Sequence, residues 1–183
     1  MRSDGVRRVW IARRGLLSLA GLAAALAACS PGGHAPASAQ AVDTPSGLPI
    51  PRYVTLKSDP VKARAGPSDD HRVLWAFHVR GLPVQVVAET QDWRRICDPE
   101  GGLSWVNKLV TDGRRSVMRT QPGDAPILSA PRDDAAPVAY LAHQALASLD
   151  RCDGDWCRVR VGAIKGWLRG TAVWGVEPAP QCH

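Results

Sequence analysis

The sequence predicts an all-β protein made of two tandem copies of one small unit. From Arg52 onward it is a series of short apolar runs separated by Gly, Pro and Asp turns. One phrase occurs twice: Asp92-Trp93-Arg94-Arg95-Ile96 leads to Gly102-Leu103-Ser104-Trp105, and Asp155-Trp156-Cys157-Arg158-Val159 leads to Gly166-Trp167. The offsets are even, 64 residues from Pro67 to Pro131, 63 from Trp93 to Trp156 and 62 from Trp105 to Trp167. Such spacing outranks the single-domain prior that 183 residues would set.

The N-terminus reads as an export signal. Arg2, Arg7, Arg8, Arg13 and Arg14 form a basic region, and Gly15 to Ala28 is an uncharged apolar run too short to span a bilayer. Arg13-Arg14 has a twin-arginine character, although Ala12 stands where Ser or Thr is expected. Two cleavage sites compete. Leu26-Ala27-Ala28-Cys29 resembles the bacterial lipobox, which would give a signal over residues 1–28 and make Cys29 a lipidated first residue. Ala37-Ser38-Ala39 resembles an ordinary signal peptidase site, with cleavage after residue 39. Either way the protein is expected to be exported to the periplasm, with membrane attachment only through Cys29. Residues 29–51, rich in Ala, Ser, Pro and Gly, read as a flexible tether. Five of the 23 Lys+Arg and one of the 17 Asp+Glu precede Ser30, so the net charge of +6 falls to +2 beyond it. No dense basic stripe is left to bind nucleic acid.

The first unit, residues 52–120, opens with strands at Tyr53–Leu56 and Val61–Arg64. Ala65-Gly66-Pro67-Ser68-Asp69-Asp70 forms a loop. Val73 to Val79 is an apolar, aromatic strand ended by Gly81-Leu82-Pro83, and Val84 to Ala88 is the next. A turn at Gln91-Asp92 leads into Trp93–Cys97, and Asp98-Pro99-Glu100-Gly101-Gly102 turns again. Leu103–Val106 closes the unit, with a single helical turn expected at Asn107–Leu109. The second unit, residues 121–178, follows the same order, and residues 179–183 are a tail. Val138–Ala147 reads as strand because its counterpart does. At Cys152–Val161 the Asp-Gly turn makes a hairpin. Cys157, Val159 and Val161 lie on one face, and Trp156, Arg158 and Arg160 on the other.

Export makes the cysteines interpretable, since an oxidising compartment permits disulfides. With Gly154-Asp155 as the turn, Cys152 and Cys157 face each other across the hairpin within bridging range. Cys97 and Cys182 are then left over, and nothing in the sequence brings them together. The spacing of Cys152, Cys157, Cys182 and His183 matches no standard zinc knuckle.

The Arg64-Ala65-Gly66-Pro67 loop, the Gly81-Leu82-Pro83-Val84-Gln85-Val86 run, Asp92-Trp93-Arg94-Arg95-Ile96 and the closing Gly102-Leu103-Ser104-Trp105-Val106 together resemble bacterial SH3 domains. The resemblance covers Arg52 to Pro178 and implies two small, partly open β-barrels of about five strands each. It also implies binding to cell-wall peptidoglycan or to envelope proteins. Leu128-Ser129-Ala130 departs from the Arg-Ala-Gly pattern in the second copy. With Tyr53 and Tyr140 as the only tyrosines, the aromatic groove of a polyproline binder is not in evidence.

No catalytic constellation stands out, so the sequence predicts a binding protein without catalysis, cofactor or metal. His34, His71, His78, His143 and His183 form no compact metal spacing, and Asp69-Asp70 and Asp133-Asp134 read as loop formers. The candidate ligand residues are Trp93 with Arg95, and Trp156 with Arg158 and Arg160. An indole flanked by guanidinium groups can stack on a sugar and hold a carboxylate. The competing role for each of these tryptophans is a plug at one end of its barrel. Trp105 and Trp167 are assigned to core packing, and Trp174 to the contact between repeats or to the last strand. Two functions follow from this reading: peptidoglycan binding through the Trp/Arg faces, or an adaptor that scaffolds envelope enzymes.

Overall fold

A computed structural model describes residues 44–182. These form two antiparallel sheets with no α-helix among the described residues. The first contains β1 (Arg52–Leu56), β2 (Val61–Arg64), β3 (Val73–Phe77), β4 (Pro83–Glu89), β5 (Trp93–Cys97), β6 (Leu103–Asn107) and β7 (Thr111–Asp112). The second contains β8 (Ser116–Met118), β9 (Ala125–Leu128), β10 (Pro137–Leu141), β11 (Leu146–Asp153), β12 (Trp156–Val161) and β13 (Ile164–Arg169). The strand orders are β3-β2-β6-β5-β4-β1-β7 and β10-β9-β13-β12-β11-β8, so the second repeats the first six strands of the first order and β7 has no counterpart.

Alternating burial makes each sheet one-sided. In β2, Val61 and Ala63 are buried while Lys62 is exposed; in β13, Gly166 and Leu168 point inward between outward residues. Val54, Val61, Val84, Val86, Ile96 and Val106 share one core, and Phe77 packs against it. Strands from both ends of the order thus surround one interior, and the sheet is rolled into a partly open barrel. Ile127, Leu141, Leu149, Val159 and Leu168 do the same in the second sheet. Each repeat carries a bulge at one corresponding place, between Val86 and Ala88 in β4 and between Leu149 and Arg151 in β11.

Several boundaries differ from the sequence reading. The second sheet begins at β8, ahead of residue 121, because the edge of β11 takes Ser116–Met118 as its neighbour. The helical turn is a 3-10 turn at Lys108–Val110, one residue later than expected. Val138–Ala147 is divided between β10 and β11 by a turn in which Gln144 takes φ 62°. Its counterpart, Gly81, has φ 85° and carries no Cβ penalty there.

Thr44–Pro51, at the end of the expected tether, is fastened to the first barrel. The backbone N–H of Ser46 donates to Glu89 at 3.0 Å, and Ile50 packs on the core. Glu89 also accepts from the Ser46 hydroxyl and, at 2.5 Å, from Arg52. Burial pushes the Glu89 carboxyl up, but the hydrogen bonds from Ser46 and Arg52 outweigh that and hold it at about 2.

The tail is fastened as well. Gln85 is fully buried; its Nε2 donates to Ala179 O at 2.8 Å and its Oε1 accepts from Gln181 N at 2.9 Å. At the junction of the sheets Trp174 meets Tyr53 edge-on, with ring centroids 5.0 Å apart, while Met118 bridges to Trp174 and packs on the first core. Burial foremost, then the Glu177 charge, pushes the Tyr53 phenol up to about 12 against the opposing pull of Arg115.

Candidate functional site

Two disulfides tie these sheets, one across the second repeat's ladder and one from the first sheet to the tail. Cys152 pairs directly with Cys157 across the β11–β12 ladder, with Cα atoms 4.0 Å apart, as the hairpin argument expects. Cys97 bonds to Cys182 with Cα atoms 5.7 Å apart. Cys97 sits on β5, and the Gln85 clamp on neighbouring β4 delivers the tail to it. That meeting is tertiary, which is why the sequence does not reveal it.

The structure buries Trp93 and leaves Trp105, Trp156 and Trp167 half-buried. Trp93 is only 8% exposed, and the Arg64 guanidinium lies 6.0 Å from its ring centroid. Arg64 Nη1 donates to the carbonyls of Asp69 and His71 at 2.8 and 2.9 Å, and Nη2 donates to Asp69 Oδ1 at 2.8 Å. One side chain therefore holds the 65–72 loop and seals Trp93, which leaves that indole little surface for a ligand. Trp156 is half-buried, and the guanidinium over it, 4.5 Å from the centroid, belongs to Arg169 rather than to Arg158 or Arg160. Arg169 is itself paired with Asp133 and Asp155, at 2.5 and 3.4 Å.

Trp105 and Trp167, assigned to the core from the sequence, face outward. Alternation puts Ser104 and Val106 inside and Trp105 outside. Likewise Gly166 faces Ile127, where a Cβ would lie 2.5 Å from a methyl group, so Trp167 must face out. Arg95 stands opposite Trp105 on the ladder, and Arg158 stands opposite Trp167 in the corresponding place. Arg158 lies 6.0 Å from the Trp167 centroid and Arg151 lies 5.2 Å from it. Arg151 is paired with Asp153 and Arg160 with Asp150. The guanidinium groups of Arg95 and Arg158 have no ion pair or hydrogen bond to another described residue. A guanidinium resting on an indole keeps its N–H fork outward, in the geometry that binds a carboxylate by two hydrogen bonds.

The sequence reading missed a groove of about 670 Å³ beside β3. Trp75, Phe77, Asp98 and Glu100 line it from the first repeat, and Met118 and Gln144 from the second. The available signal was the aromatic alternation Trp75-x-Phe77 in a strand that the core does not fully cover.

Several reactive side chains of the described residues are already engaged. All four of their cysteines are in disulfides, so none presents a thiolate. His78 pairs with Asp59 at 3.1 Å and His143 with the Gln121 carbonyl at 3.1 Å. No group of three His, Cys, Asp or Glu among the described residues is placed to hold a metal. No helix among them is long and apolar enough to cross a membrane. Cys29, the expected lipid site, lies outside the described residues.

The bacterial SH3 domain model matches the chain twice, over residues 57–113 and 117–175. No curated protein matches it. Among solved structures it is similar to that of NlpC2 from Trichomonas vaginalis, at 14% identity and TM-score 0.31, over 69% of this chain and 48% of that one. It is similar to NlpC1 of the same organism at 14% identity and TM-score 0.31, over 69% and 46%. The chain spans less than half the length of either.

Proposed function

The chain belongs to the bacterial SH3 domain family, and from that premise we propose that it is a non-catalytic, exported peptidoglycan-binding protein. Modules of this family generally bind cell-wall or envelope components. Two disulfides suit an oxidising, extracytoplasmic compartment. The observation that carries the reading is the repeated cross-strand pair, Arg95 with Trp105 and Arg158 with Trp167, in which the guanidinium has no acceptor among the described residues. An indole face offers stacking to a sugar ring, and the guanidinium takes a carboxylate of the attached peptide. Trp156 and Arg160 flank this face in the second repeat.

The test is co-sedimentation of the chain with purified cell-wall sacculi at low and moderate salt. The tail through Cys182 must be retained. Wild-type protein is expected in the pellet, and Arg95→Ala/Arg158→Ala, checked as folded by circular dichroism, is expected in the supernatant. Absence of wild-type retention at both salts would overturn peptidoglycan binding and favour the adaptor reading. The observation on that side is exposed apolar surface on edge strand β10, where Val138 is 45% and Tyr140 63% exposed. We further propose that Cys29 is lipidated; Cys29→Ser is then expected to lose the lipid mass and leave the membrane fraction, and an unchanged distribution refutes it.

A further inference from the structure

We propose that the groove beside β3 is a separate binding site for a free alkylammonium group on an aliphatic stem, carried by a diamino acid of a wall peptide. The wall-peptide source rests on the function proposed above; the ammonium chemistry rests on the groove alone.

Trp75 and Phe77 project on one face of β3 and stand at right angles, 90° between planes with centroids 6.2 Å apart. Two perpendicular aromatic walls form the corner of a cage, a geometry that attracts a cation through the ring quadrupoles and excludes a carboxylate. Trp75 remains 36% exposed, and no guanidinium lies over it, in contrast to Trp93, Trp156 and Trp167.

The charge at the rim matches. Asp98 is only 6% exposed, and its Oδ1 accepts from Glu100 N and Gly102 N, each at 2.9 Å. Its Oδ2 makes no hydrogen bond to any described residue and borders the aromatic corner. A Cβ on Gly102 would lie 2.5 Å from this oxygen and 3.2 Å from Trp75 Cζ2. Glycine at 102 is therefore what lets carboxylate and indole approach each other. Glu100 is exposed at the same rim and, like Asp98, is in no ion pair among the described residues. No lysine or arginine lines the groove, and His78 is engaged by Asp59. Leu82 and Met118 supply apolar surface for the methylene stem. The second repeat has Ala139 and Leu141 in place of Trp75 and Phe77, so it has no counterpart of the cage.

The experiment titrates the full, disulfide-bonded chain with Nα-acetyl-lysine amide, Nα,Nε-diacetyl-lysine amide and Nα-acetyl-norleucine amide. Binding is followed by tryptophan fluorescence and by the Trp75 indole NMR signal. The lysine probe is expected to saturate and to bind roughly tenfold or more tightly than the two uncharged probes. Trp75→Ala and Glu100→Gln are expected to weaken it, and Arg95→Ala/Arg158→Ala to leave it unchanged. Equal binding of charged and uncharged probes, or indifference to Trp75→Ala, overturns the site. A wall peptide with its side-chain amine free or acetylated tests the source: discrimination against the acetylated form is expected. Lysine-probe binding without that discrimination overturns the wall-peptide source and transfers the ammonium to a lysine of a protein partner. Sacculus retention with no amine binding overturns this site and leaves the proposed function standing.

Discussion

The two repeats close the same rung of their ladders by different means. In the first, Glu89 on β4 stands opposite Arg94 on β5, 3.9 Å apart, with Arg52 and Ser46 completing the carboxylate's shell. In the second, the corresponding positions are Cys152 and Cys157, and the rung is covalent. The tryptophan that follows the hairpin turn is covered in both. Arg64 reaches Trp93 from β2, whereas Arg169 reaches Trp156 from β13. The loop after β2 differs from the one after β9 too. Gly66 lies under the His71 ring in the first repeat, and Ala130 and Ala135 occupy those places in the second. Duplication has kept the backbone positions that need closing and covering, while the side chains that do so have changed strand and chemistry.

The comparison breaks hardest at the disulfides. Cys97→Ser/Cys182→Ser opens a closure of 85 residues and is expected to cost about 4–5 kcal/mol by chain entropy. Cys152→Ser/Cys157→Ser opens one of 5 residues and is expected to cost about 2 kcal/mol. Urea unfolding of both variants checks the order.

Glu89 makes the first rung sensitive to acid. Its carboxyl is held at about 2 against an ordinary 4.5. The stability it contributes is therefore complete above pH 4.5 and lost as pH falls toward 2. Glu89→Gln is expected to cost about 2 kcal/mol at pH 7 and to flatten that acid limb. The Cys152–Cys157 rung has no titrating group and responds to reductant instead.

Arg64→Ala removes three hydrogen bonds and the cover over Trp93, and is expected to destabilise by about 2 kcal/mol with a rise in Trp93 solvent exposure. Arg169→Ala, whose partners are exposed surface carboxylates, should have a smaller effect on the melting temperature. The smallest change tests the loop exchange. Gly66→Ala places a Cβ 2.4 Å from the exposed His71 ring and is expected to cost under about 1 kcal/mol. Adding His71→Ala is expected to restore stability, which a double-mutant cycle measures.

Particular residues mark how far the sequence could be read. Asp153-Gly154-Asp155-Trp156 specified its hairpin locally, because Gly154 adopts φ 56° and puts Cys152 opposite Cys157. Period-two burial likewise made the strand faces legible, and the even offsets between Pro, Trp and Trp landmarks made the duplication legible. Which tryptophan faces solvent was also encoded nearby, in Gly166 and Val106, but it depended on knowing which neighbours were packed. The Arg95 and Arg158 positions were legible as candidates; that their guanidinium groups have no acceptor among the described residues was not, since it depends on where distant carboxylates fold.

Local sequence by itself determined the strands, the turns, the tandem repeat and one disulfide, because each depends on contacts a few residues apart. Tertiary structure alone decided the Cys97–Cys182 bond, the fastening of Thr44–Pro51 through Glu89, the covering of each tryptophan and the groove at Trp75. These join segments far apart in the chain, and only the rolling of each sheet into a barrel brings their side chains within reach of one another.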